Sequence, residues 1–76
     1  IRQADVADVI AVFKEMPGGT VRVNLRSKTQ FSVNSVAHQF GGGGHTKAAG
    51  ITMAGTLDGV VERVVGALRE ALDAVH

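Results

Sequence analysis

Cysteine is absent from the chain, so neither a disulfide nor a thiolate metal site contributes to its stability. The same absence fits a reducing, cytoplasmic setting. Aromatic residues are few, and Phe13, Phe31 and Phe40 are the whole set. All three read as core residues. Three scattered rings do not build a stacking platform for long single-stranded nucleic acid. The longest apolar run, Val9–Phe13, is far short of the ~20 residues that a membrane-spanning helix needs, so no membrane partner is expected. No charged-then-apolar leader opens the chain. Its first residue is Ile1 rather than methionine, which reads as a piece of a longer protein. Acidic residues are missing from the whole stretch Val21–Gly55, which carries Arg22, Arg26, Lys28, His38, His45 and Lys47. The acids sit in the flanks, Asp5–Glu15 and Asp58–Asp73, so the net charge is only +1. A basic centre between acidic flanks suits a small anionic ligand; a merely solvated basic surface is the competing reading.

What is present suffices for one small domain. The chain has 76 residues, 45% of them hydrophobic. A domain of this size buries about 60% of the surface its unfolded chain exposes, so its margin is thin. Residues 20–28, TVRVNLRSK, alternate: Val21, Val23 and Leu25 point one way, Arg22, Asn24, Arg26 and Lys28 the other. This is a half-buried strand, preceded by a turn over 16–19 with Pro17 and two glycines. Residues 9–15, VIAVFKE, fit either a strand or a helical stripe. The β-branched content and the short turn that follows favour the strand, which would make a hairpin. Residues 30–32 read as a short strand. Asn34 reads as the N-cap of a short helix ended by Gly41, with Val36 and Phe40 facing the core. Residues 51–54 read as another short strand.

The last segment is the clearest. Leu57, Val60, Val61, Val64, Val65, Leu68, Ala71, Leu72 and Val75 share an arc of roughly 140° on a helix. Thr56 can cap it, and Asp58 suits its first turn. The expected fold class is α+β. It has a small mixed β-sheet with a β-hairpin, a short helix leading to a glycine-rich loop, and a long C-terminal amphipathic helix on the sheet.

Residues 40–50 read FGGGGHTKAAG. Glycine loses more backbone entropy on folding than any other residue, so four in succession need a reason. Successive positive φ angles, close approach of another backbone or a ligand, and an anion-binding nest of N–H groups are the three available. In the last case His45 and Lys47 stand at the rim as donors, and residues 46–49 open a helical turn whose N–H groups point the same way. A flexible tether between Phe40 and Ile51 is the bland alternative. The spacing fits neither a Walker A loop nor G-x-G-x-x-G. Arg26 ends its strand on the polar face, where its fork suits a phosphate and Ser27 adds a neutral donor; a solvated strand face is the stronger rival on spacing alone. His38 and His45 have no cysteine or carboxylate partners in the basic centre, which disfavours a metal site. There is no H-E-x-x-H and no aspartate cluster for a two-metal centre.

With LRSK, then FSVNSVAHQFGGGGHTKAAGIT, then a helix rich in valine and leucine, residues 8–75 resemble the DHH-associated C-terminal domain of DHH-family phosphoesterases. Gly-Gly-Gly-Gly-His followed by Ala-Ala-Gly looks most like the branch acting on very short oligoribonucleotides (nanoRNA, linear dinucleotides) and on 3′-phosphoadenosine 5′-phosphate. The resemblance implies that Arg26, Ser27, Gly42, Gly43, Gly44 and His45 contact the substrate's phosphate and nucleotide. It also places a strand at 9–15. The family's metal-binding aspartates belong to a separate N-terminal domain, and these residues hold no counterpart. The implied chain therefore binds substrate without catalytic residues or a cofactor of its own. The parent phosphodiesterase or phosphatase would use two manganese ions in the other domain to activate water. His45 would donate to a phosphate oxygen as charge develops. The implied partners are a short oligoribonucleotide or nucleoside bisphosphate, the catalytic domain of the same chain, and a second copy in a homodimer. Two rival readings remain: a noncatalytic RNA-binding module like the tail of a tRNA synthetase, and a dimerisation module.

Overall fold

Alternation of apolar and polar residues organises the first half of the chain into a sheet. The computed structural model describes residues 1–74. Five strands form, β1 (Arg2–Val6), β2 (Val9–Met16), β3 (Thr20–Ser27), β4 (Gly43–His45) and β5 (Ala48–Ala54), together with α1 (Val33–Gln39) and α2 (Leu57–Ala74). Their spatial order is β1-β2-β3-β5-β4. Every neighbouring pair is antiparallel, so the sheet is antiparallel throughout rather than mixed. Short turns join β1 to β2, β2 to β3 and β4 to β5, and a parallel pair would require a much longer crossover. The fold is α+β, as expected.

Several local expectations hold. Residues 9–15 lie in a strand. The turn after them is tight, with Gly18 and Gly19 at φ 89° and 78°. Thr56 caps α2: its hydroxyl accepts from the Gly59 N–H at 3.1 Å. Gly41 ends α1 in a Schellman arrangement, at φ 78°. Its N–H donates to the His38 carbonyl at 3.2 Å, and the Gly42 N–H donates to the Ala37 carbonyl at 2.9 Å.

Others are corrected. β1 carries mostly polar side chains, and its turn at Ala7–Asp8 lacks glycine; pairing with β2 rather than its own composition makes it a strand. Residues 30–32 are not a strand, because their surroundings are satisfied locally. Ser27 Oγ accepts from the Thr29 N–H at 3.3 Å, and Thr29 Oγ1 accepts from the Phe31 N–H at 3.2 Å. Ser32, not Asn34, caps α1, accepting from the Ser35 N–H at 3.3 Å. Residues 46–49 do not open a helical turn: Thr46 and Lys47 form a two-residue hairpin, and β5 starts at Ala48.

Both helices cover one face of the sheet. The core joins Phe13, Val21, Val23, Leu25 and Ile51 from the strands to Val33, Val36 and Ala37 of α1 and Val60, Val64 and Leu68 of α2. The expected α2 stripe is realised with its centre buried and its margins, such as Val61 and Leu72, half-buried. Val75 lies outside the described residues. Phe40 packs at the margin, with the Arg63 guanidinium 5.7 Å from its ring centroid. No helix among the described residues is long and apolar enough to cross a membrane.

Candidate ligand-binding face

Directly paired residues in an antiparallel ladder share a face. On β3, Val21, Val23, Leu25 and Ser27 turn to the core, so Arg22, Asn24 and Arg26 turn to the uncovered side. The register then builds rows across the open face. Arg26 stands opposite Ala48 of β5, and Ala48 stands opposite His45 of β4. In the next row, Asn24 faces Gly50, which faces Gly43. From the other side, Ile10 adjoins Arg26 and Val12 adjoins Asn24. These rows enclose a shallow depression of about 650 Å³, lined by Ile10, Val12, Asn24, Arg26, Gly43, Ala48 and Gly50. Arg26 and His45 flank Ala48 two strand spacings apart, ~10 Å between backbones. Both side chains are solvent-exposed.

The hairpin that carries His45 is held from both sides. The Ser27 N–H donates to the Lys47 carbonyl and the Val33 N–H to the Thr46 carbonyl, each at 2.9 Å. This is not a flexible tether. The glycines before it serve close backbone approach. A Cβ on Gly42 would collide with the Gly50 carbonyl oxygen, and one on Gly44 would stand 2.5 Å from the Ala48 carbonyl oxygen. Three of the four glycine N–H groups are already bonded inside the chain: Gly41 and Gly42 to α1 carbonyls, and Gly44 to Asn34 Oδ1 at 3.0 Å. Of the three reasons open to such a run, close backbone approach is therefore the one realised, not an anion-binding nest. The thinness of the run lets β4 lie against β5 and α1, and this sets His45 in the row with Arg26.

The family described as the DHHA1 domain matches residues 1–76. The chain belongs to the DHHA1 domain family. A relative, the bifunctional oligoribonuclease and PAP phosphatase NrnA of Thermus thermophilus, is 43% identical over 65 residues. That alignment covers 84% of this chain and 20% of the relative, so the DHHA1 domain spans about a fifth of the longer protein's length.

Within the domain, the residues expected at the site separate into three groups. Arg26 and Gly43 line the depression on the open face, and His45 stands in the Arg26 row beyond Ala48 without lining it. Gly42 and Gly44 support them from within the β4–β5 contact. Ser27 does not join them. It is buried, its hydroxyl donates to the Thr29 carbonyl at 3.3 Å, and the pleat turns it to the face opposite Arg26. Sequence reasoning missed Asn24 and Gly50 on the depression, and Asn34 as the anchor of the Gly44 amide. Asn24 was legible as a member of the polar alternation; the other two become visible only through pairing.

Proposed function

We propose that this domain holds the phosphate end of a short oligoribonucleotide or nucleoside bisphosphate for a phosphoesterase whose catalytic centre lies elsewhere in the same protein. The row Arg26–Ala48–His45 beside the depression carries this reading. Arg26 supplies a forked, permanently charged donor suited to phosphate. His45 supplies a second donor from across the gap, and in this reading it stabilises charge that grows on a phosphate oxygen. Ile10 and Val12 offer half-buried apolar surface to the nucleoside. A compact set of donors suits one or two nucleotides rather than a long strand. The relative's activities, an oligoribonuclease and a PAP phosphatase, match that ligand class. No group of three or more metal-ligating side chains occurs among the described residues. In this reading the paired manganese ions implied by the resemblance sit in the separate catalytic domain.

Titration of the chain with a 5′-phosphorylated diribonucleotide, followed by amide NMR against inorganic phosphate, tests the reading. Shifts centred on Arg26, residues 41–48 and Asn24, larger for the dinucleotide, are expected. Unmoved amides in β4 and at Arg26 would remove the domain's role as a phosphate holder. In a protein that joins this domain to its catalytic domain, His45→Ala is expected to lower kcat/KM by about tenfold or more.

A further inference from the structure

A third row crosses the open face beyond Asn24. Lys14 of β2 stands directly opposite Arg22, and Arg22 directly opposite Thr52 of β5. We propose that this row is a second phosphate subsite, so that the ligand of this face carries two phosphates flanking one nucleoside. The inference rests on the phosphate reading of the Arg26–His45 row and extends it.

Three observations carry it. Like charges placed directly opposite each other across strands repel. Lys14 and Arg22 nevertheless share a row with only Thr52 beside them, and the one side-chain ion pair among the described residues, Arg2 with Asp58, joins β1 to α2 on the covered face. An anion on the row relieves that repulsion. Arg22 is also fixed in place. Its Nη1 donates to Thr52 Oγ1 at 3.1 Å, and its guanidinium lies over Gly50, where a Cβ would stand 2.5 Å from Nη2. A guanidinium has five N–H donors, and Thr52 takes one. A pre-oriented fork loses less freedom on binding than a free one. Finally, the direction of that fork sets the spacing. The backbones of Arg22 and Arg26 are four residues apart on β3, ~13 Å. Gly50, however, belongs to the row of Asn24, two residues or ~7 Å from the Arg26 row. By leaning over Gly50, the Arg22 guanidinium closes much of the gap, toward the scale on which a single nucleoside separates two phosphates. Asn24 stands in the interval as a polar element against that nucleoside.

The test measures affinity of the chain for adenosine 3′,5′-bisphosphate, the 5′-phosphorylated diadenylate and AMP, at fixed ionic strength. The first two ligands separate a free bisphosphate from a nucleotide chain. At least one of them is expected to bind about tenfold tighter than AMP. Arg22→Gln should bring that ratio close to one while leaving AMP affinity unchanged, and Arg22→Lys should keep part of it. Arg26→Gln should weaken all three ligands together. Equal affinity for all three ligands, or an Arg22→Gln effect that is nil or uniform across them, overturns the second subsite. If the Arg26 and His45 amides still respond in that case, the single-phosphate reading stands. If neither responds in the unmodified chain, both readings fall.

Discussion

The two faces of the sheet are built from the same strands yet do opposite work. The covered face presents Phe13, Val23, Leu25 and Ile51 to the helices, and these residues are at most 2% exposed. The open face presents Lys14, Arg22, Asn24 and Arg26, with Gly50 and Ala48 of β5 beside the last two. Adjacent residues are divided by the pleat: Arg26 faces the open side, and Ser27 faces the interior. A motif that reads as a unit along the chain is therefore split in space. In an antiparallel sheet with one solvated face, neighbours in a row matter more than neighbours in sequence.

Substitutions can break the contrast between the faces or sharpen it. Phe13→Ala on the covered face should cost about 3–5 kcal/mol. That is a large share of the ~5–15 kcal/mol available to a small domain, and a denaturant titration would show it. Gly42→Ala should cost about 1–3 kcal/mol by forcing β4 away from the Gly50 carbonyl. Amide exchange should then show the β4 ladder opening while β2 and β3 stay protected. Arg26→Ala should leave stability within about 0.5 kcal/mol while weakening dinucleotide binding about tenfold. Its neighbour supplies the reverse: Ser27→Ala should cost about 1 kcal/mol of stability and leave affinity unchanged. If Ser27→Ala instead abolished binding with the fold intact, the division of labour between the faces would be wrong. The smallest effect is a gain. Ala7 turns the β1–β2 hairpin at φ 52°; left-handed alanine costs about 1–2 kcal/mol, and glycine's extra unfolded-state freedom returns up to ~1 kcal/mol of that. Ala7→Gly should raise stability by about 0.5–1 kcal/mol, measured as an upward shift in Tm.

Much of this contrast is legible in the amino-acid sequence. The polar parity of Arg22, Asn24 and Arg26 follows from residues 20–28 alone, as does the α2 stripe from its spacing. Gly41 marks the end of α1. The glycine run is legible as a demand for unusual backbone, but not as which demand. Close approach to Gly50 and Ala48 outweighs the nest, since α1 carbonyls and Asn34 take the N–H groups. Asn34 looks like a cap because its neighbours form a helix, yet Ser32 does that work and leaves Asn34 to reach β4.

Local pattern alone marks the elements with a strong period: β3 with the tight turn before it, the start and buried stripe of α2, and the concentration of basic residues between Val21 and Gly55. Period and turn chemistry act over a few residues and need no distant partner. Tertiary structure alone decided that β1 is a strand, that the glycine run contributes an edge strand, and that β5 begins at Ala48. It alone placed Arg26, Ala48 and His45 in one row, because hydrogen-bond register between strands distant in sequence is fixed by the packing of the covered face rather than by any residue's own preference.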